Sequence, residues 1–167
     1  MKSRSLRFLT VAALLCAAQV LVTGYVLHIP IGVAGGYVHL GDTVLFLTAA
    51  MLPLPFALPA AVIGGALADL LTGAAIWALP TAVIKLLAIL PFAHGRDKLC
   101  SRRNLWALPL AGLIGVLGYG AATAVLFGWA ATLPGLIPDV VQEAVSAALY
   151  LPLAAALDRA QVTRFFS

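Results

Sequence analysis

Residues 6–27 read LRFLTVAALLCAAQVLVTGYVL, an apolar run with no charged side chain between Arg7 and His28. A helix of about 20 such residues is long enough to cross the hydrocarbon core of a bilayer. The basic start before this run also resembles a secretory signal peptide. We expect no cleavage, because the run is long and further apolar segments follow. The sequence therefore predicts a first membrane span here.

The rest of the chain has the same character. Of its 167 residues, 63% are hydrophobic and 10% are charged, whereas a soluble domain has about 25% charged residues. Asp42 is a candidate N-cap of a second helix, and Pro53, Pro55 and Pro59 are predicted to form a tight apolar turn after it. We predict an all-α membrane protein, a six-transmembrane-helix bundle that forms a single integral membrane domain over residues 1–167. The predicted spans are 6–27, 42–52, 60–76, 80–93, 106–129 and 138–157.

The positive charges give this bundle a direction. Short cytoplasmic loops of membrane proteins collect Lys and Arg, which also explains the net charge of +4 without a nucleic-acid partner. Six spans with both termini cytoplasmic place nine of the ten positive residues on one side, in a multi-pass protein of the bacterial plasma membrane. The charge pattern alone also allows four spans, and the second or the third segment, both short and bounded by proline, could be re-entrant. The nine residues are Lys2, Arg4, Arg7, Arg96, Lys98, Arg102, Arg103, Arg159 and Arg164.

The tenth positive residue, Lys85, lies inside the fourth segment. Ionisable residues within a membrane are expensive and usually functional or paired. Counting about 1.5 Å per helical residue places Lys85, Asp69 and Glu143 at a similar depth in the outer leaflet, which indicates one polar pocket open to the outside. The candidate substrate-binding residues are His39, Asp42, Asp69, Lys85, Gln142 and Glu143.

Each candidate also has a purely structural interpretation. Asp69 and Lys85 could only neutralise each other, and Asp42 could only cap a helix. The helix macrodipole favours Glu143 near an N-terminus, and His39 could simply be solvent-exposed. Aromatic residues near the segment ends are typical of an interfacial belt, although one of them could stack on a planar ligand. These aromatic residues are Tyr25, Trp77, Tyr119 and Trp129.

Several kinds of chemistry have no signature in the sequence. No phosphate-binding P-loop, His-Glu-x-x-His or Gly-x-Ser-x-Gly element occurs, and these motifs carry ATP hydrolysis, zinc hydrolysis and serine hydrolysis. Cys16 and Cys100 give neither a disulfide framework nor a metal site. We therefore expect a binding subunit that has no catalytic residues, no cofactor and no metal. The alternatives are a small membrane enzyme or anchor subunit that uses the intramembrane Asp, Lys and Glu as acid–base groups, and an assembly protein without a ligand.

Four pieces of the chain resemble a known family. YVHLGDTVLF (37–46), IGGALADLLTG (63–73), PTAVIK (80–85) and PDVVQ (138–142) are similar, in order, to the substrate-binding subunits of energy-coupling factor (ECF) transporters. These subunits are called S components. The resemblance is closest to the riboflavin-transporter type.

The resemblance implies a six-helix subunit that captures a water-soluble vitamin or precursor at its outer face. It further implies association with a transmembrane coupling protein and two cytoplasmic ATPases. Ala13 and Ala17, at the small-xxx-small spacing that allows close helix packing, match the family's face for the coupling protein. Residues 28–41 match the gate over the ligand. Flavins, thiamine precursors and pyridoxine-like molecules remain candidate substrates, and the short chain favours a small heterocycle.

Overall fold

The structure is a computed structural model that describes residues 2–30, 37–94 and 98–166. Within these ranges the chain is helical apart from one small hairpin, as the predicted all-α class requires. Short 3₁₀ turns cover Ala75–Trp77 and Val162–Phe166. The main elements are α1 (Lys2–Tyr25), β1 (Ile29–Pro30), β2 (Tyr37–Val38), α2 (Gly41–Met51), α3 (Leu54–Leu71), α4 (Ala78–Ile89), α5 (Arg102–Phe127) and α6 (Trp129–Arg159).

Four helices are long and apolar enough to cross a membrane, counted over the described residues: α1, α3, α5 and α6. Leu14, Leu79 and Val125 are among many large apolar side chains exposed on the outside of the bundle. Such an apolar exterior suits lipid rather than water. The fold is therefore that of a multi-pass membrane protein.

Helix α2 is short but lies at the centre. Ten of its 11 residues are buried, and it packs against α1, α3 and α6. A helix of 11 residues is only about 17 Å long, so α2 does not reach across a bilayer core by length alone. A helix that is buried on all sides is expected to be mostly apolar all round.

Two predicted boundaries were wrong, because prolines that were expected to bound these helices lie within them. Helix α3 begins at Leu54, so Pro55 lies in its first turn, where no backbone N–H is needed, and Pro59 lies inside the helix. The predicted turn from Pro53 to Pro59 is therefore mostly helix. Helix α6 begins at Trp129 rather than near Pro138. Gly128 alone, with φ 87°, separates α5 from α6.

The end of the bundle that carries the loop between α4 and α5 is tightly fixed. The Asp158 carboxylate accepts hydrogen bonds from the backbone N–H groups of Leu99 and Cys100, at 2.8 and 2.9 Å. The Tyr150 hydroxyl donates to the Leu99 carbonyl at 2.8 Å, and the Phe46 ring stacks near the Phe92 ring at 5.7 Å. These contacts fix the described part of this end of the bundle, which lies opposite the hairpin.

Candidate functional site

A buried ion pair joins α4 to α2. Lys85 Nζ lies 2.5 Å from Asp42 Oδ1, and the two side chains are 3% and 1% exposed. The N-cap of α2 is Leu40, which makes no side-chain cap hydrogen bond, so the prediction that Asp42 caps this helix was wrong. The Asp42 carboxylate lies in the first turn and faces Lys85 instead.

Gln142 extends this pair to the hairpin. Its Nε2 donates to Asp42 Oδ2 at 2.9 Å, and its Oε1 accepts the backbone N–H of His39 at 2.9 Å. The side-chain amide therefore connects α6, α2 and the end of the hairpin in one network. Because an amide has one donor and one acceptor side, both sides of Gln142 are already used by the protein.

His39 is held in one tautomer. The backbone N–H of Gly41 donates to His39 Nδ1 at 3.0 Å, so Nδ1 carries no proton and Nε2 is the N–H donor of the neutral ring. Burial lowers the pKa of His39 to about 4, although the nearby Asp42 carboxylate acts in the opposite direction. His39 is therefore a neutral donor at neutral pH.

Asp69 is bound to the hairpin. The Tyr37 hydroxyl donates to Asp69 Oδ1 at 2.6 Å, and the Tyr37 ring stacks on His28 with centroids 4.0 Å apart. Burial and the Asp69 charge raise the pKa of Tyr37, so the phenol stays protonated. The suggested pairing of Asp69 with Lys85 was wrong, because each has a different partner.

The predicted common depth was only partly correct. Asp69 lies in the last turn of α3, which ends at Leu71, because that helix starts and ends earlier than predicted. Lys85 lies about two turns inside α4, which begins at Ala78. The charges therefore form two levels: Asp69 with the hairpin, and the Asp42–Lys85 pair deeper in the bundle.

A cavity lies at the hairpin end of the bundle. The space between its walls is about 530 Å³, a figure that includes space open to solvent. Three aromatic rings contribute to its wall, and the other lining groups are mainly polar. The lining residues are Tyr37, His39, Asp69, Trp77, Thr81, Tyr119, Thr123, Gly135, Asp139 and Gln142.

The structure divides the six candidate residues into two groups. His39, Asp69 and Gln142 line the cavity. Asp42 and Lys85 do not line it, but Gln142 connects them to it. No group of His, Cys, Asp or Glu suited to a metal ion occurs among the described residues.

Glu143 faces a different space. It lines an apolar groove between α5 and α6 and packs so closely against Gly115 that a Cβ there would lie 2.9 Å from Glu143 Cδ. Its Oε2 is buried without a hydrogen-bond partner in the described part of the chain. Glu143 therefore does not line the cavity, although its carboxyl interacts with the Asp42–Lys85 pair.

Sequence reasoning missed four polar lining residues: Tyr37, Thr81, Thr123 and Asp139. Asp139 precedes Gln142 by three positions on one helix, and residues three apart share a helix face. That spacing could have identified Asp139. The Thr81 hydroxyl accepts from the Tyr119 hydroxyl at 3.2 Å, a contact between α4 and α5 that no local pattern indicates.

Ala13 and Ala17 lie on the outside of the bundle. Both are exposed on α1, whereas Ala12 on the inner face is buried. Three of the four glycines of the predicted gate, residues 28–41, fall in residues 31–36, outside the described residues, and the fourth, Gly41, begins α2. The paired strands at either side place Ile29 opposite Val38 and Pro30 opposite Tyr37.

Comparison with known proteins assigns the family. The sequence profile of the family described as "ECF-type riboflavin transporter, S component" matches residues 4–159. A search of the curated proteins finds no match. S components are transporter subunits rather than enzymes, bind a vitamin and work with an ECF module. Because the match covers nearly the whole chain and agrees with the resemblance of the four sequence pieces, this protein belongs to the family of S components of ECF-type riboflavin transporters.

Proposed function

We propose that this chain captures a water-soluble vitamin or vitamin precursor in the cavity beneath the hairpin, as the substrate-binding subunit of an ECF-type importer. The observation that carries the proposal is the cavity itself, which combines aromatic walls with polar groups at one end of the bundle. Ligand sites are usually apolar clefts with a few polar groups that fix orientation. The family description names riboflavin, and thiamine precursors and pyridoxine-like molecules remain candidates.

In this proposal the bundle crosses the membrane six times, as a single domain with both ends in the cytoplasm. Helices α2 and α4 are shorter than a full span, and local bilayer thinning or tilt accommodates such mismatch. The distribution of positive residues supports this orientation, since the sequence has no Lys or Arg between Arg7 and Lys85 or between Arg103 and Arg159.

The hairpin acts as the gate. Tyr37 contacts both Asp69 on α3 and the ring of His28, and its backbone belongs to β2. A ligand that enters or leaves must pass the residues that these contacts hold in place. The ECF coupling protein and its two ATPases would then supply the energy for release on the inside.

Binding to purified protein tests the proposal. Detergent-solubilised protein is incubated with riboflavin, thiamine, the aminopyrimidine precursor of thiamine, pyridoxine and pyridoxamine, and the complexes are measured by native mass spectrometry. We expect one of these ligands to bind with a Kd in the nanomolar to micromolar range, and replacement of Trp77 by Ala to weaken it. Absence of binding by protein that unfolds cooperatively would overturn the assignment of the cavity.

A further inference from the structure

Acidic residues outnumber basic residues around the cavity. Four of the six acidic residues of the chain, Asp42, Asp69, Asp139 and Glu143, belong to the elements that surround it, and Lys85 is the only Lys or Arg in the sequence between Arg7 and Arg96. Lys85 is occupied by Asp42. Asp69 and Asp139 line the cavity, and none of the lining residues in the described part of the chain is Lys or Arg.

Asp69 has an oxygen available for a ligand. Its Oδ1 accepts from Tyr37, but its buried Oδ2 has no hydrogen-bond partner within the described residues. The residue is only 4% exposed, so bulk water solvates this oxygen poorly. A buried acceptor without a donor costs about 1–3 kcal/mol, and more when it is charged. A donor group on a ligand would remove this cost.

The aromatic residues suit the same kind of ligand. Tyr37, Trp77 and Tyr119 line the cavity, and the Trp77 and Tyr119 rings lie 6.1 Å apart. The Tyr119 ring already has Lys85 Nζ 5.2 Å from its centroid. The face of an aromatic ring attracts a cation, and most strongly where water is excluded. Carboxylates together with aromatic faces are therefore a chemical combination that recognises a positively charged nitrogen.

From this arrangement we infer that the cavity selects a cationic, amine-bearing aromatic heterocycle, whose charged nitrogen lies against Asp69 and Asp139, over neutral flavins and over phosphorylated anions. The inference rests on the proposed function of the cavity and narrows its substrate class. A cationic ligand would supply a positive charge beside Asp69 and Asp139, where the described lining residues include no Lys or Arg. A phosphorylated ligand would meet two carboxylates in a space of low dielectric constant, where like charges repel strongly.

Two matched ligands test the charge directly. Pyridoxine and pyridoxamine share one ring and differ in one substituent, a neutral hydroxymethyl or a charged aminomethyl group at neutral pH. Riboflavin and flavin mononucleotide form a second pair, which differ by a phosphate. Kd values for all four, with thiamine as a permanently charged fifth probe, are measured by calorimetry with the full chain in detergent. We expect pyridoxamine to bind at least tenfold more tightly than pyridoxine, thiamine to bind, and flavin mononucleotide to be the weakest.

Variants then locate the charge effect. Asp69→Asn and Asp139→Asn each keep the side-chain size, and each should weaken pyridoxamine or thiamine binding about tenfold or more while changing pyridoxine binding little. Asp97→Asn, which removes the same charge from a residue in the basic stretch after α4, is the control and should leave both affinities unchanged. Thermal unfolding of each variant confirms that it is folded.

The two failures can be told apart. If riboflavin or pyridoxine binds as tightly as the cationic probes, or if Asp69→Asn strengthens binding of every ligand, the cavity takes a vitamin but not by charge, and this inference is overturned while the proposed function stands. If none of the five probes binds to folded protein, both are overturned.

Discussion

The Asp42–Lys85 pair lies between two helices that are not consecutive in the chain. Asp42 lies in the first turn of α2 and Lys85 is in α4, yet their charged atoms are 2.5 Å apart and almost fully buried. Gln142 from α6 completes the network at 2.9 Å. Three helices are thus joined by one set of polar contacts, and Gln142 connects this set to the cavity that it lines.

Replacing Lys85 with Met should strongly destabilise the bundle. The change keeps the length of the side chain but leaves Asp42 as an uncompensated buried charge, which costs about 3–5 kcal/mol. Denaturant unfolding in detergent measures the loss. Lys98→Met, at an exposed position, is the matched control and should change stability by less than about 0.5 kcal/mol.

The double variant separates charge from packing. Adding Asp42→Asn to Lys85→Met removes the buried charge and keeps an acceptor for Gln142, so the double variant should be more stable than Lys85→Met alone. A positive coupling of this kind is what a double-mutant cycle reports for residues in direct contact. If the two changes instead add, the pair makes no net interaction.

The sequence could predict which polar residues are buried, but not which of them are partners. Hydropathy placed Lys85 and Asp69 inside helices, because an ionisable residue within an apolar segment is conspicuous. Their partners depend on which helices are neighbours in space: α4 packs beside both α3 and α2, and only the three-dimensional arrangement assigns Lys85 to Asp42. The aromatic hairpin residue Tyr37, which holds Asp69, carries no local signal for that role.

The helix boundaries were also only partly predictable from the sequence. The prolines predicted a turn from Pro53 to Pro59 and a helix start near Pro138. Pro55 lies in the first turn of α3, where proline costs little, whereas Pro59 and Pro138 lie inside helices. Asp139 was missed although the predicted span 138–157 already placed it on one helix with Gln142, where residues three apart share a face.

Gly65 should tolerate no side chain, because α3 and α4 approach each other closely there. A Cβ at this position would lie 2.9 Å from the Thr81 methyl group and 3.1 Å from Lys85 Cγ, both shorter than ordinary van der Waals contact. We expect Gly65→Ala to lower stability by about 1–3 kcal/mol, as for other overpacked sites. Gly112→Ala is the control, since its nearest neighbour would be 3.4 Å away.

A second substitution tests the cause. Thr81→Ser removes the methyl group and retains the hydroxyl that accepts from Tyr119, so it should recover part of the stability lost in Gly65→Ala. Equal destabilisation with and without Thr81→Ser would contradict the proposed collision with the methyl group. Thermal unfolding of the four proteins under one set of conditions is sufficient.

Stability should fall as the pH decreases below about 6.5, in part through His39. The pKa of His39 is lowered by burial to about 4 in the folded protein, whereas an unfolded histidine has a pKa near 6.5. Between these values the unfolded state binds more protons, so protonation favours unfolding. The contribution of neutral His39 is complete above pH 6.5 and is lost as the pH falls towards 4.

His39→Asn distinguishes this histidine from the others. Asparagine offers an acceptor near the position of Nδ1 for the Gly41 N–H but does not titrate in this range. The variant should therefore lose stability less steeply than the wild type between pH 7 and pH 4.5. His94 also has a pKa lowered by burial, so a residual slope is expected. An unchanged slope would show that folding does not lower the pKa of His39, because a group contributes to the slope only if its pKa differs between the folded and unfolded states.

Enlarging the exposed alanines of α1 should uncouple the chain from its transport module. Ala13 and Ala17 are exposed on the outside of the bundle, and small residues at this spacing let a partner helix approach closely. Leucine at both positions would hold such a helix away without entering the cavity, which α1 does not line. When the chain is co-expressed with an ECF module that the wild type binds, Ala13→Leu with Ala17→Leu should reduce copurification at least tenfold and leave ligand affinity unchanged.

Ala121→Leu, at an exposed position on α5, controls for added bulk on the lipid-facing surface and should copurify normally. If the doubly substituted chain still copurifies with the module, the docking face lies on another helix, because two leucines cannot be accommodated in a close alanine contact.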